Sequence, residues 1–184
     1  MSKNIVLCCD GTDNEFGLAN TNVVKLYRAL VSDPERQQVL YYHPGLGTMG
    51  APSALTPIAK LVTRLMGLLF GYGLSQHLID LYGRVMAAYE PGDRICLFGF
   101  SRGAYTARAV ASMLHMFGLV RTGNNVLVPY AIRLLKRQDK ERFEIAARFK
   151  STFSTPVTVH FVGVWDTVSS VGTLHDPLSV PYTA

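Results

Sequence analysis

The sequence predicts an α/β fold, a three-layer sandwich with a mainly parallel sheet. Short runs of β-branched or large apolar residues alternate with longer helix-like segments, as in a parallel sheet covered on both faces. One of these runs leads into a Gly-x-Ser-x-Gly turn and then a helix. The 184 residues and 48% hydrophobic content predict one globular domain, residues 1–184.

The predicted helices and strands follow from the spacing of apolar residues and from the residues that begin or end each element. The first helix has a polar cap at Asn20 or Thr21 and ends at Ser-Asp-Pro. The second presents an apolar stripe from Leu74 to Ala88, the third is stopped by Gly118, and the fourth is broken near Gln138-Asp139. The predicted strands are residues 5–9, 39–42, 94–98 and 157–164, and the predicted helices are residues 21–31, 74–89, 102–117 and 126–150.

The formal charge of +5 points to no nucleic-acid partner. The densest basic group, in residues 133–142, is interleaved with Asp139 and Glu141, the pattern of a solvated helical face. A formal charge of +5 is compatible with a weak attraction to anionic membrane surfaces.

Cysteine usage and the first residues bear on the compartment. Cys8, Cys9 and Cys96 lie in apolar runs and are odd in number, so the sequence predicts no disulfide framework and a cytoplasmic, reducing setting. The N-terminus lacks a signal-peptide core, so any export would use a signal-independent secretion system. The apolar stretch 55–70 is interrupted by Pro57, Lys60 and Arg64, and we expect no transmembrane helix.

The Gly99-Phe100-Ser101-Arg102-Gly103 segment carries the strongest functional pattern. A serine that attacks a carbonyl must stand exposed on a tight turn, and glycines on either side let strand and helix approach. We therefore predict Ser101 as nucleophile of an α/β-hydrolase-like domain, lined by Gly99 and Gly103. The backbone N–H of Arg102 would then help to stabilise the oxyanion.

Two further loops follow predicted strands. Asp10 lines the site in this interpretation, and Gly11 and Thr12 could supply another oxyanion N–H, although an ordinary Asp-Gly turn explains the segment equally well. Asp166 follows the fourth strand, where the acid that orients a catalytic histidine belongs, and comes after Ser101 as in hydrolases.

The sequence offers no histidine at the usual place for the general base of a catalytic triad. His43, His77, His115 and His160 precede Asp166, and His77 and His115 sit in helical segments. His175 follows Asp166, but nine residues leave little room for the elements that usually separate acid from base. It is the candidate base within the chain. The sequence predicts no metal site and no cofactor.

Four blocks in order resemble a known family. They are Cys9-Asp10-Gly11-Thr12, the Tyr-Tyr-His-Pro-Gly-Leu-Gly-Thr run of residues 41–48, the elbow block of residues 99–108 and the Val-Trp-Asp-Thr-Val run of residues 164–168. The chain resembles an uncharacterised α/β-hydrolase domain family whose relatives include the phospholipase effectors of bacterial type VI secretion. The resemblance implies Ser101 as nucleophile, Asp166 as triad acid and a triad histidine in a later Gly-x-His-Ser-Asp block.

That later block is absent from the 184 residues, so we expect a C-terminally incomplete domain that stops before its catalytic histidine. Two functions follow. One is a serine hydrolase of carboxylic esters, phospholipase- or lipase-like, with a Ser-Asp-His triad and a lipid or other ester substrate. The other is a catalytically silent domain acting as an interaction or assembly module, completed by a partner protein or the missing C-terminal segment.

Overall fold

The computed structural model describes residues 2–11, 20–33, 37–45 and 58–167, and only the backbone of residues 58–72. Two sequence expectations, the oxyanion role of Thr12 and the base role of His175, fall outside these ranges. So do the side chains of the apolar segment 58–69.

A four-stranded parallel sheet forms the centre of the fold, as the sequence predicts. Its strands are β1 (Asn4–Cys9), β2 (Gln38–His43), β3 (Arg94–Phe100) and β6 (Val159–Trp165), in the order β2-β1-β3-β6. β1 and β3 are the central strands and are rich in apolar residues, which suits strands covered on both faces. β1 is buried along most of its length, whereas β3 is buried at alternate residues. All strands are parallel, so their carboxyl ends meet at one edge of the sheet.

Helices cover both faces of the sheet. α1 (Asn22–Ala29) is capped by the Thr21 hydroxyl, which accepts from the Val24 N–H at 3.2 Å, and its Val23 packs with Val6 and Cys8 of β1. The other face carries α2 (Ile58–Ala88) and α3 (Arg102–Phe117), whose buried side chains form the larger core.

An outer pair of helices packs on α2 and α3. α4 (Val128–Leu135) follows a 3-10 turn, Asn125–Leu127, and α5 (Glu141–Phe153) follows α4. The predicted break near Asp139 is confirmed, because the two helices are separated by residues 136–140. Among the described residues, no helix combines the length and the apolarity needed to cross a bilayer.

Two features differ from the expected elements. α2 is one continuous helix of 31 residues, whereas the sequence predicts its beginning at Leu74. A small antiparallel pair, β4 (Leu119–Val120) and β5 (Ser154–Thr155), also ties the end of α3 to the end of α5. The Tyr82 hydroxyl donates to the Gly118 carbonyl at 2.7 Å and accepts from the Val120 N–H at 3.0 Å, which anchors this pair to α2.

Candidate active site

Strand register brings the predicted site residues to one edge of the sheet. Phe100 of β3 pairs with Trp165 of β6, so Ser101 and Asp166 leave neighbouring strands at the same level. Cys9 is paired with Gly99 on one side and His43 on the other, which places Asp10 on the far side of Ser101 from Asp166. This is the edge where open parallel sheets place their ligand sites.

Ser101 occupies a strained turn between β3 and α3. Its φ and ψ are 54° and −120°, a conformation that non-glycine residues rarely adopt and that costs about 1–3 kcal/mol. The helix begins at the next residue, and the Ala104 N–H donates to the Ser101 carbonyl at 3.1 Å. The serine is half-exposed, so its hydroxyl lies at the rim of the sheet beside the positive end of the α3 dipole.

The glycines on either side of Ser101 are required by backbone contacts. A Cβ atom at Gly99 would lie 2.4 Å from the Gly103 carbonyl oxygen, and one at Gly103 would lie 2.2 Å from the Cys9 carbonyl oxygen. Both distances are far below van der Waals contact. Helix α3 therefore starts directly against β3 and β1, as the Gly-x-Ser-x-Gly pattern predicts.

Asp10 is a buried carboxylate that ties three elements together. The side chain is 1% exposed. Its Oδ2 accepts from the Tyr42 hydroxyl and the Thr21 hydroxyl, each at 2.8 Å, and its Oδ1 accepts from the Gly11 N–H at 2.7 Å. Burial and then the hydrogen bond to Asp10 raise the pKa of Tyr42, which keeps its hydroxyl a donor. The carboxylate thus joins the ends of β1 and β2 to the start of α1.

The predicted oxyanion donors have different surroundings. The Gly11 N–H already donates to Asp10, so an incoming oxyanion would compete with that bond. Arg102 is the first residue of α3, and its carbonyl accepts from the Thr106 hydroxyl at 3.1 Å. Because Arg102 opens α3, its backbone N–H lies at the positive end of the helix dipole, where an anion at Ser101 would be favoured.

Asp166 lies one residue beyond β6. It has a φ of 46° and an exposed side chain. The next residue, Thr167, accepts from the Arg108 Nε of α3 at 3.4 Å, so this loop is linked to the helix that Ser101 opens. The position suits a carboxylate that orients a base from the solvent side.

A pair of histidines, which the sequence interpretation left without a role, lies on the other side of the elbow. The rings of His43 and His77 are 4.1 Å apart between centroids, and the His43 Nε2 lies 4.0 Å from the Asp80 Oδ2. Burial lowers the pKa of both, that of His77 to about 4. With Asp10, Arg102 and Gly103 among others, they line a cavity of about 10 Å³, room for one water molecule.

This histidine pair does not face Asp166. His43 ends β2 and Asp166 follows β6, three strand spacings or roughly 14 Å across the sheet. His115 is near the opposite end of α3, and His160 lies within β6. None of the histidines in the described ranges is therefore placed to be held by Asp166. No group of three or more His, Cys, Asp or Glu side chains in those ranges could hold a metal ion.

Comparison with known proteins identifies relatives of this chain. Residues 3–182 match the family described as the type VI secretion phospholipase effector Tle1-like catalytic domain. The uncharacterized protein YEL023C of Saccharomyces cerevisiae is 39% identical over 191 residues. That match covers 96% of the chain and 28% of the yeast protein, so the chain spans just over a quarter of this relative's length. No solved structure matches the chain.

Proposed function

The chain belongs to the Tle1-like catalytic domain family, and from that premise we propose that it carries the nucleophile, acid and oxyanion elements of a serine hydrolase that cleaves lipid esters. The single observation that carries the proposal is Ser101 on its strained turn, with Gly99 and Gly103 in backbone contact on both sides. Strain of this kind is retained where a side chain must be displayed.

In the proposed reaction, the Ser101 hydroxyl oxygen attacks the acyl carbon of an ester while a histidine removes its proton. The developing oxyanion would lie at the start of α3, beside the Arg102 N–H. The histidine then protonates the leaving alcohol, and a water molecule activated by the same histidine releases the acyl group from Ser101.

Asp166 would orient this histidine and stabilise its protonated form. Since none of the histidines in the described ranges faces Asp166, the base would come from elsewhere in the protein. His175 is one candidate, and a histidine supplied by further polypeptide is the other. Family membership favours a lipid ester, and the cavity beside the elbow is too small to hold one, so we expect the acyl group on the Asp166 side of Ser101.

Fluorophosphonate labelling of the purified chain tests this proposal, with intact mass as readout. We expect one adduct, its loss in Ser101→Ala, and its retention in Ser112→Ala, a matched control on the same helix. Hydrolysis of short and long acyl p-nitrophenyl esters should fall at least about 10³-fold in Ser101→Ala. A His175→Ala variant that loses turnover would identify the base.

Two outcomes separate the alternatives. An adduct on a residue other than Ser101 would refute the proposal. A folded chain that neither labels nor hydrolyses esters, alone or with added C-terminal polypeptide, would favour a catalytically silent interaction module instead.

A further inference from the structure

The positive charge of the chain is concentrated in one region. Residues 121–150 contain eight of the 18 basic residues and three of the 13 acidic residues, a formal charge of +5. The rest of the chain has ten of each and is balanced. The region comprises the approach to α4, helix α4, the connecting turn and most of α5.

The acidic residues of this region are already engaged. Asp139 lies 2.7 Å from the Arg137 guanidinium, and Glu141 lies 3.8 Å from it. Glu144 pairs with Arg148 at 2.6 Å. These pairs neutralise Arg137 and Arg148. The excess positive charge therefore lies on other residues of the region, including the exposed Arg133 and Lys140.

Exposed apolar side chains coincide with this charge. Val126 is 83% exposed, Phe143 52%, and Tyr130 and Phe153 each 40%. Seven large apolar side chains stand exposed in the described ranges, and three of them lie within residues 121–150. Phe153 lies just beyond this region, at the end of α5. Transfer of such side chains from water to a less polar phase lowers the free energy, so their concentration beside basic residues is typical of surfaces that bind membrane interfaces.

Cations and rings are also paired. The Arg142 guanidinium lies 4.5 Å from the Phe143 ring centroid, and that of Arg133 lies 5.6 Å from the Tyr130 ring centroid. Phe143 of α5 borders a shallow cavity together with His115 and Lys150. Tyr130 of α4 stacks on Phe149, on the side of α5 that faces α4. The aromatic residues therefore flank α5 on both sides, which suits a broad, flat partner better than a peptide or a small ligand.

The region also reaches the end of the molecule that carries Ser101. The Lys136 Nζ donates to the Ser75 hydroxyl at 2.7 Å, two residues before His77. His77 in turn lines the cavity beside Gly103. The turn between α4 and α5 is thus joined through α2 to the elbow.

We propose that the exposed face of α4, the α4–α5 turn and α5 docks on anionic lipid bilayers. Basic residues supply attraction to acidic headgroups, and Tyr130 and Phe143 enter the headgroup region. The proposal goes beyond the proposed function and does not depend on it, since binding requires no reaction at Ser101.

Vesicle co-sedimentation tests the docking surface. We expect the chain to bind vesicles of phosphatidylcholine mixed with phosphatidylserine, to bind phosphatidylcholine vesicles weakly, and to dissociate at high salt. Each basic residue near the surface contributes about five-fold to partitioning. The triple variant Arg133→Gln, Lys140→Gln, Arg142→Gln should therefore bind roughly 100-fold more weakly.

A second triple variant removes the same charge elsewhere. Lys25, Arg28 and Arg94 are exposed outside the region, and replacing all three with Gln should reduce binding much less. Phe143→Ser should weaken binding without changing net charge, and Ser101→Ala should bind as the native chain does. Circular dichroism of each variant checks that it is folded.

Three results would overturn the proposal: no binding to anionic vesicles, equal loss in both triple variants, or tighter binding to single-stranded RNA than to vesicles. The last would assign the surface to nucleic acid. Vesicle binding by a chain that fails to label with fluorophosphonate would separate this inference from the proposed function.

Discussion

The backbone N–H of Ser101 donates to the carbonyl oxygen of Trp165 at 3.0 Å, one residue before Asp166. Both Ser101 and Asp166 have positive φ values, 54° and 46°, so the chain turns out of two paired strands at the same level. The distance between the proposed nucleophile and acid is therefore set by the β3–β6 ladder. Side-chain substitutions at Asp166 should leave the backbone of Ser101 in place.

Gly103→Ala should disrupt the elbow. The added Cβ would lie 2.2 Å from the Cys9 carbonyl oxygen and 2.5 Å from that of Asp10, both backbone atoms that cannot turn aside. We expect a loss of about 3 kcal/mol in the free energy of unfolding, measured by urea denaturation. Any fluorophosphonate labelling of Ser101 should fall in parallel because α3 must move away from β1.

Gly83→Ala is the matched control for this substitution. Gly83 lies within α2, and a Cβ there would meet no atom within 4 Å. The higher helix propensity of alanine should stabilise the chain by up to about 1 kcal/mol. Equal stability of the Gly103→Ala and Gly83→Ala variants would mean that Gly103 does not lie in close contact with the backbone of Cys9 and Asp10.

The sheet and the elbow were predictable because their causes are local in sequence. The apolar runs of β1 and β3 require burial on both faces, and the glycines at 99 and 103 record a backbone contact that no other residue permits. The α1 cap and the break before α5 likewise have local signals. These elements are confirmed with bounds that shift by a few residues.

Other features depend on contacts that the sequence does not display. β4 and β5 are two residues each and form because α3 and α5 end side by side. The His43–His77 pair joins the end of β2 to α2, and its two members are 34 residues apart in the sequence. The one available signal was that His43 ends the strand beside β1 and so lies at the same edge as Asp10.

Tyr42→Phe should destabilise the chain through Asp10. The Tyr42 hydroxyl donates to a carboxylate that is 1% exposed, and without it that carboxylate loses one of three donors. Hydrogen bonds to charged groups contribute about 1.5–3 kcal/mol, and we expect a loss in that range by urea denaturation. Tyr27→Phe, with a ring 5.5 Å from that of Tyr42, is the control and should cost less. Equal effects would argue against a special role for Asp10.

Acid should destabilise the chain through His77. Burial, and then the neighbouring His43, lower the pKa of His77 in the folded state to about 4, against an ordinary value of 6.5. Below pH 6.5 the unfolded chain binds a proton that the folded chain does not, so stability is lost as the pH falls from 6.5 to 4.

Replacing His77 with Gln isolates this contribution. Urea denaturation at pH 7 and pH 5 should show a larger acid loss in the native chain than in His77→Gln, by about 1–2 kcal/mol. His115→Gln, at the far end of α3, should retain the native acid sensitivity. An unchanged pH dependence in His77→Gln would show that folding does not lower the pKa of His77.

The cysteines should differ in their reactivity with iodoacetamide. Cys8 and Cys9 are buried in the central strand β1, and burial raises the pKa of Cys8 to about 12 and raises that of Cys9 as well. Only the thiolate reacts, so both should remain unmodified in the folded chain at pH 8. Cys96 is half-buried in β3 and should react first, although burial raises its pKa too. Mass spectrometry with and without urea measures the order, and modification of Cys8 before unfolding would contradict the packing of α1 on β1.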